Sequence, residues 1–163
     1  MTARCLLALG SNQGRRRRQL RQALLRLRRL PGGKVLARSE LYDTAPLGPR
    51  QPRYLNMAVR YRTALPPLGL LVELKRIEAG AGRRPGRRWG PRPLDIDILD
   101  YAGRKLRSPW LTLPHPRAGE RAFVLAPVCD VEPSWRPQGR ATAARLLERM
   151  RPEPKALFRI GAL

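Results

Sequence analysis

The stretch Leu94-Asp95-Ile96-Asp97-Ile98-Leu99 alternates apolar and acidic side chains, and this period of two is typical of a β-strand. On such a strand the side chains of Asp95 and Asp97 point to the same side of the sheet. That side is not an ordinary core, because a buried carboxylate is costly unless it is paired or bound to a metal. A pair of carboxylates suits Mg²⁺, which commonly takes one or two protein carboxylates together with phosphate oxygens and water.

The segment before this strand is rich in arginine. Five arginines stand among glycines and prolines: Arg83, Arg84, Arg87, Arg88 and Arg92. Guanidinium groups bind phosphate oxygens bidentately, so groups for an anion and for a cation lie side by side, as transfer from Mg-ATP requires. An isolated Asp-x-Asp pair would more simply be two solvated carboxylates on a half-exposed strand. The arginines and the sequence Trp89-Gly90-Pro91-Arg92 favour the metal and polyphosphate interpretation.

Length and composition predict one domain, spanning residues 1–163. The 163 residues are 42% hydrophobic, enough for one core. No apolar stretch approaches the roughly 20 residues that span a bilayer, and the N-terminus does not resemble a signal peptide, so we expect a cytoplasmic protein without membrane contact. Cys5 and Cys129 lie in apolar surroundings, which favours free thiols. A single histidine and no cysteine pair at metal spacing argue against zinc.

The net charge of +22 would attract any polyanion, and it supports an anionic substrate without identifying one. A small nucleic-acid-binding module is one alternative, but it predicts exposed aromatic residues on sheet strands, and only 6% of the residues are aromatic. We therefore expect no specific nucleic-acid partner. A metal-dependent nuclease or another phosphotransferase is a second alternative. It would leave the sequence Tyr54-Leu55-Asn56 and the proline-rich segment before it without a purpose.

The periodicity along the chain predicts an α+β fold. The order is strand, helix, strand, strand, helix, strand, which fits a ferredoxin-like βαββαβ core with a mainly antiparallel sheet. Further strands and helices would extend this core into a layered α/β/α sandwich. The predicted strands are 5–9, 34–42, 56–63 and 94–99, the helices include 20–27, 68–78 and 142–150, segment 111–116 is extended, and 121–128 is a further apolar element.

Five motifs occur in order along nearly the whole chain. They are Leu7–Asn12, Thr44–Gly48 with Gln51 and Tyr54–Asn56, Glu78 with Gly82–Arg83, Arg88–Asp97, and Leu111–His115 with Arg121–Phe123. By these motifs the chain resembles the 6-hydroxymethyl-7,8-dihydropterin pyrophosphokinases. The resemblance implies an ATP-dependent diphosphotransferase of folate biosynthesis that moves pyrophosphate from ATP to a pterin alcohol. It also implies that the partners are small molecules and that the protein is a monomer.

The resemblance also implies roles for particular residues. Two Mg²⁺ ions would be held by Asp95 and Asp97, and catalysis would rest on Arg83, Arg92 and these two carboxylates, with Arg83 on a mobile loop. The residues implied for ATP are Glu78, Trp89, Arg92, Ile98, Thr112, His115 and Arg121. Those implied for the pterin are Thr44, Ala45, Leu47, Tyr54, Asn56 and Phe123. Taken singly, Phe123 would be a core residue and Asn56 a strand or turn residue.

The chain departs from the family's pattern at two places. The loop after Gly82 is slightly shorter than usual, so either Arg84 or Arg87 could be the second loop arginine. At position 110 many members carry an arginine that contacts phosphate, and this chain carries Trp110. That contact is either lost or supplied by Arg107 or Arg117.

Overall fold

The structure is a computed structural model that describes residues 1–84, 86 and 90–163. Its strands are β1 (Ala3–Ser11), β2 (Lys34–Arg38), β3 (Leu41–Thr44), β4 (Tyr54–Thr63), β5 (Asp95–Tyr101), β6 (Leu106–Arg107), β7 (Thr112–Leu113) and β8 (Leu157–Gly161). Its α-helices are α1 (Arg16–Leu27), α2 (Pro67–Gly80), α3 (Ala122–Val131) and α4 (Ala143–Met150).

The main sheet has the strand order β5-β1-β4-β3-β8, and β2 also pairs with β4. All of these pairs are antiparallel. Two units, β1-α1-β2 and β4-α2-β5, supply four strands of this sheet, with β1 and β4 in its centre and β5 at one edge, which is the arrangement of a ferredoxin-like core. The predicted α+β fold is therefore confirmed. Strands β6 and β7 form a separate two-stranded sheet.

Helices cover both faces of the main sheet, which gives the predicted α/β/α layers. On one face, Leu20, Leu24 and Leu27 of α1 and Leu70 and Leu74 of α2 pack at helical spacing against the strands. A second cluster on the other face joins α3, Ala143 of α4 and the strand residues Leu6, Ala58 and Leu99. Among the residues that the structure describes, no helix has the length and apolarity needed to cross a bilayer.

Two features of the sheet differ from the sequence prediction. The single strand predicted for residues 34–42 is divided into β2 and β3, and both parts pair with β4. Ser39 lies at the break, where its Oγ accepts a hydrogen bond from the Ala58 N–H at 2.9 Å. The second difference is β8, which the sequence analysis did not predict and which pairs with β3 at the edge of the sheet.

Candidate active site

The two aspartates lie in a cavity of about 280 Å³ on the α3 side of the sheet. The register of the strands explains this position: Asp95 and Asp97 of β5 are opposite Gly10 and Ala8 of β1. Gly10 is in turn opposite Asn56 of β4. Strand β1 lies between β5 and β4, and its residues Ala8 and Gly10 are small. They leave an open space between the two carboxylates and Asn56, and β1 forms the floor of the cavity beneath this space.

Gly10 allows a close approach that no other residue would permit. A Cβ atom at this position would lie 2.6 Å from Oδ1 of Asn56, which is inside van der Waals contact. The amide of Asn56 is held in this place by a hydrogen bond from its Nδ2 to Oγ1 of Thr44 at 2.7 Å. Because Gly10 has no side chain, the buried amide of Asn56 can occupy this position at the edge of the cavity.

The carboxylate pair is electrostatically strained. Burial, and then the neighbouring charge of Asp95, raise the pKa of Asp97, although His115, Lys75 and Arg121 oppose the shift. Oδ1 of Asp95 accepts hydrogen bonds from Nη1 of Arg83 at 2.7 Å and from Nη1 of Arg92 at 3.1 Å. A divalent cation between the two carboxylates would remove their mutual repulsion.

The protein offers two carboxylate ligands here rather than a closed cage. In the part of the chain that the structure describes, no group of three or more His, Cys, Asp or Glu side chains is placed to hold a metal ion. A cation held by Asp95 and Asp97 would therefore complete its coordination with water and substrate oxygens. Mg²⁺ binds in this way when it accompanies phosphate groups.

A second cleft, of about 870 Å³, adjoins the first and shares Gln51 and Arg92 with it. Basic side chains predominate along it: Arg50, Lys75, Arg83, Arg84 and Arg92. Such a lining suits a polyphosphate. The one acidic side chain among its described lining residues is Glu78.

Glu78 is buried, and three neighbours hold its carboxylate. Oε1 accepts from the Ile96 N–H at 2.7 Å, and Oε2 lies 3.0 Å from Nζ of Lys75 and 2.6 Å from Nη1 of Arg83. Burial raises the pKa of Glu78, while Lys75, the Ile96 amide and Arg83 lower it in part. Glu78 therefore fixes the end of α2 to β5 and also holds Arg83 at the border of the two clefts.

Asn12 joins three segments around the site. Its backbone N–H donates to the Arg92 carbonyl at 3.1 Å, and its side-chain Oδ1 accepts from the Arg92 N–H at 2.7 Å. Its Nδ2 donates to Oε1 of Gln51 at 2.8 Å and to the Pro52 carbonyl at 3.1 Å. Asn12 has no role among the predictions from sequence, although it belongs to the first of the five motifs.

The wall on the α3 side carries His115, Arg121 and Phe123. The His115 N–H donates to the Leu99 carbonyl at 2.8 Å, and its Nδ1 accepts from the Arg117 N–H at 3.2 Å. Burial lowers the pKa of His115 in spite of the opposing charge of Asp97. The Arg121 guanidinium lies 5.7 Å from the centre of the Phe123 ring, a cation–π contact at the start of α3.

The structure brings most of the predicted site residues together. The first cavity is lined by Asp95, Asp97, Arg92, His115, Arg121 and all six residues predicted for the pterin, and the second cleft by Glu78, Arg83 and Arg92. Neither is lined by Thr112 of β7 or by Ile98, a core residue that is 3% exposed. The roles given to all of these residues stay predictions. Trp89, Arg87 and Arg88 lie outside the described residues. The cavity is also lined by residues that have no role among the predictions from sequence: Ala8, Gly10, Gln51 and Val124.

The fold and the two clefts define a class of protein: a ferredoxin-like α+β domain in which a carboxylate pair suited to a divalent cation borders an arginine-rich cleft suited to polyphosphate. The family model described as 7,8-dihydro-6-hydroxymethylpterin-pyrophosphokinase (HPPK) matches residues 6–133. The chain belongs to this family.

Curated relatives include single-activity and bifunctional proteins. The 2-amino-4-hydroxy-6-hydroxymethyldihydropteridine pyrophosphokinase of Pseudomonas aeruginosa is 45% identical over 142 residues, which are 86% of this chain and 88% of that protein. The mitochondrial folate synthesis bifunctional protein of Pisum sativum is 50% identical over 127 residues, which are 77% of this chain. The chain covers 24% of that plant protein.

Solved structures agree on the fold. An HPPK-DHPS of Plasmodium falciparum with pteroate superposes with a TM-score of 0.75 at 16% identity, over 98% of this chain and 47% of that one. A second structure of the same protein, with STZ-DHP, gives a TM-score of 0.74 over 92% of this chain and 43% of that one. At this identity the agreement concerns the ferredoxin-like architecture.

Proposed function

We propose that the protein transfers a pyrophosphoryl group from Mg-ATP to the hydroxymethyl group of 6-hydroxymethyl-7,8-dihydropterin, which yields AMP and the pterin diphosphate for folate biosynthesis. One observation carries the proposal: the carboxylate pair and the six residues predicted for the pterin line one cavity, and Arg92 connects that cavity with the arginine-rich cleft. The name of the Pseudomonas aeruginosa relative supports the same reaction.

The reaction forms one bond and breaks one. The pterin hydroxyl oxygen attacks the β-phosphorus of ATP, the bond from that phosphorus to the oxygen bridging to the α-phosphorus breaks, and the hydroxyl proton is released. The protein contributes positioning and charge stabilisation rather than a covalent intermediate. The cavity would hold the pterin alcohol and the cleft the phosphates, so the nucleophile and the β-phosphorus would meet beside Asp95 and Asp97.

Asp95 and Asp97 are the residues that would hold Mg²⁺, and we propose two ions. When bound, the metal supplies Lewis-acid polarisation and charge neutralisation to the phosphates. The raised pKa of Asp97 fits this role, because a carboxylate destabilised by burial and by a like charge gains most from a cation.

Arg83 and Arg92 have two possible anionic partners in the site. In the structure both donate to Oδ1 of Asp95. Once Asp95 ligates the metal, the two guanidinium groups are available for the phosphate oxygens that lie in the adjoining cleft. In the structure the Arg83 guanidinium is bound by the carboxylate of Glu78. The residue before Arg83 is Gly82, which has a φ of 91°. Because glycine adopts positive and negative φ values with similar ease, rotation of the backbone at Gly82 could carry Arg83 toward the phosphates.

The pterin would lie between polar and aromatic walls. The Asn56 amide, oriented by Thr44, can recognise the donor and acceptor edge of a pterin, with the backbone of Thr44, Ala45 and Leu47 beside it. Tyr54 and Phe123 border the same cavity and offer flat apolar surface to a bicyclic ring.

The experiment that tests the reaction follows the phosphorus NMR spectrum of the purified protein with ATP, Mg²⁺ and 6-hydroxymethyl-7,8-dihydropterin. We expect AMP and a pterin diphosphate. Formation of ADP and a pterin monophosphate would indicate ordinary kinase chemistry instead. No pterin-dependent change in the ATP resonances would overturn the proposal.

Replacement of Asp97 tests the metal role. Asp97→Asn keeps the size of the side chain but removes a charged ligand, and we expect kcat/KM to fall roughly a thousandfold, which corresponds to about 4 kcal/mol of lost transition-state stabilisation. Asp100→Asn is the matched control on the same strand. Its Oδ2 accepts from the Gly103 N–H outside both clefts, and an Asn oxygen can accept the same bond. Equal rates for the Asp97 variant and the control would contradict the metal assignment.

We also propose that the protein acts as a monomer in the cytoplasm. The chain belongs to the HPPK family, and the resemblance to that family implies a monomer. Light scattering during size-exclusion chromatography should give a mass near 18.5 kDa. A mass of twice this value at the enzyme concentrations of the assay would contradict the monomer.

A further inference from the structure

Strand β8 is an edge strand of the main sheet and lies beside the proline-rich segment, residues 45–53, which joins β3 to β4. β8 pairs with β3 and comes after residue 133, the last residue that the family model matches. Just before β8, the Ala156 carbonyl accepts a hydrogen bond from the Ala45 N–H at 2.8 Å. Since Ala45 lines the cavity of the carboxylate pair, the C-terminal segment directly holds part of the wall of that cavity.

Arg53, the last residue of the proline-rich segment, closes this segment at its base. Its Nε donates to Oδ1 of Asp43, and its Nη2 donates to the Asp43 carbonyl at 3.3 Å. Nη1 of Arg16, the first residue of α1, donates to the Arg53 carbonyl at 2.8 Å and lies 3.6 Å from Oδ2 of Asp43. The two ends of the segment are therefore tied to each other and to α1.

Phe158 of β8 completes this cluster. It is opposite Asp43 in the register of the sheet, and the centre of its ring lies 5.2 Å from the Arg53 guanidinium, which is a cation–π contact. We call the four residues Arg16, Asp43, Arg53 and Phe158 the base clasp. Among the described residues that line the cavity and the arginine-rich cleft, none belongs to the base clasp.

Strand geometry connects the base clasp to the cavity across the sheet. Asp43 and Thr44 are neighbours on β3, so their side chains point to opposite faces. Thr44 lines the cavity, where its Oγ1 orients the Asn56 amide, whereas Asp43 binds Arg53 on the other face. A shift of the backbone at Asp43 would therefore move both Thr44 and Ala45 within the cavity.

We propose that β8, through the base clasp, positions the proline-rich segment and so sets the affinity of the cavity for the pterin. Arg53 and Phe158 are positioning residues, because they act on the substrate only through this segment. This inference rests on the proposed function, which assigns the cavity to the pterin. Arg83 and Arg92 of the arginine-rich cleft are bound by Asp95 and not by the base clasp, so ATP affinity should depend much less on β8.

Steady-state kinetics of Arg53→Ala and Phe158→Ala tests the positioning role. We expect the KM for the pterin to rise about tenfold in Arg53→Ala, and about threefold in Phe158→Ala, which keeps the bonds of Arg53 to Asp43. The KM for ATP should change much less, and kcat should be unchanged. Phe158→Tyr retains the ring and should behave as the wild type.

Arg104→Ala is the matched control. It also removes a cation–π contact, in which the Arg104 guanidinium lies 5.9 Å from the centre of the Tyr101 ring, outside both clefts. Neither KM should change in this variant. In the double variant of Arg53 and Phe158, the rise in the pterin KM should be smaller than the product of the two single effects, because Phe158 acts through Arg53.

Amide hydrogen exchange in the protein without substrates reports on the segment directly. The Ala45 amide, which donates to Ala156, should exchange faster in Arg53→Ala and Phe158→Ala than in the wild type and in Arg104→Ala. Amides of β1 should be unaffected. Equal rises in the KM for ATP and for the pterin, an unchanged pterin KM, or unchanged exchange at Ala45 would overturn the inference.

The positioning role and the proposed reaction can fail separately. If no pterin-dependent AMP forms, calorimetric titration of the pterin in the presence of Mg-ATP replaces KM as the readout. Weaker pterin binding in Arg53→Ala would then support the positioning role, whereas equal binding in the variant and the wild type, or none in either, would overturn it. If AMP and pterin diphosphate form and Arg53→Ala has the pterin KM of the wild type, the reaction stands and the positioning role is wrong.

Discussion

Gly10 controls the polar recognition in the cavity through the space it leaves for Asn56. Gly10→Ala would place a methyl group 2.6 Å from Oδ1 of Asn56 and force the amide away from Thr44. Since a displaced hydrogen-bonding group costs about 1–3 kcal/mol, we expect pterin affinity to fall roughly tenfold or more, with little change in ATP affinity. Calorimetric titration of each substrate measures this.

A double-mutant cycle provides the control for Gly10. Asn56→Ala removes the group with which the new methyl would clash, so the Gly10→Ala substitution should cost much less in the Asn56→Ala background than in the wild type. Additive losses would show that the methyl group acts through something other than Asn56.

At the scale of single residues, the alternation of apolar and acidic side chains along β5 correctly predicted that the two aspartates lie on the same face of the sheet. Asp95 and Asp97 do share a face and a cavity, because the side-chain period of a strand depends on local backbone geometry alone. The importance of Gly10 and Asn12 was not predictable in the same way. Their contacts reach residues 46 and 80 positions along the chain, and only the folded chain brings these together.

At the scale of elements, Asn12 is the connection between β1, the proline-rich segment and the segment of Arg92. Asn12→Ala removes three side-chain hydrogen bonds, and we expect KM to rise for both substrates and the free energy of unfolding to fall by about 1–3 kcal/mol. Steady-state kinetics and urea unfolding measure the two effects.

Asn12→Asp distinguishes the hydrogen bond to Arg92 from the hydrogen bonds to Gln51 and Pro52. A carboxylate at this position still accepts from the Arg92 N–H but no longer donates to Gln51 and Pro52. Hydrogen exchange should therefore increase in residues 44–53 in both variants, whereas the Arg92 amide should lose protection in the alanine variant alone. Equal exchange at Arg92 in the two variants would show that Asn12 does not hold the two segments separately.

Elements with a strong local period were predicted closely, and those that depend on distant partners were not. Helix α2 was expected at residues 68–78 and is observed at Pro67–Gly80, since its inward-facing leucines repeat at helical spacing. Strand β8 has no clear alternation of burial and was missed. It is held by pairing with β3 and by the bonds of Arg159 to Asp130 and Tyr42, all remote in sequence.

At the scale of the whole molecule, two ionisable groups in the core make stability depend on alkaline pH. Burial, and then the charge of Asp100, raise the pKa of Cys5 from 9.0 to about 12. Burial, and then Cys5, raise the pKa of Tyr61 from 10.0 to about 12, and its hydroxyl donates to the Leu27 carbonyl at 2.6 Å. Because the unfolded chain releases these protons first, the free energy of unfolding should fall as pH rises from about 9 to 12.

Urea unfolding at several pH values tests this dependence. Each group should contribute a slope of up to about 1.4 kcal/mol per pH unit between its unfolded and folded pKa values. Cys5→Ala removes the contribution of the Cys5 thiol, so its stability should fall less steeply just above pH 9 than that of the wild type. A variant with the same slope as the wild type would contradict the assignment to Cys5.

The sequence by itself determined the fold class, the shared face of the aspartates and, through ordered motifs, the family. These are properties of local periodicity and of short segments, which the backbone geometry of strands and helices converts directly into structure. The tertiary structure alone decided that the Arg83 and Arg92 guanidinium groups meet on one oxygen of Asp95, that Asn12 joins three segments, and that Trp110 faces α2. Such contacts depend on where the sheet register and helix packing place residues that are distant in the chain.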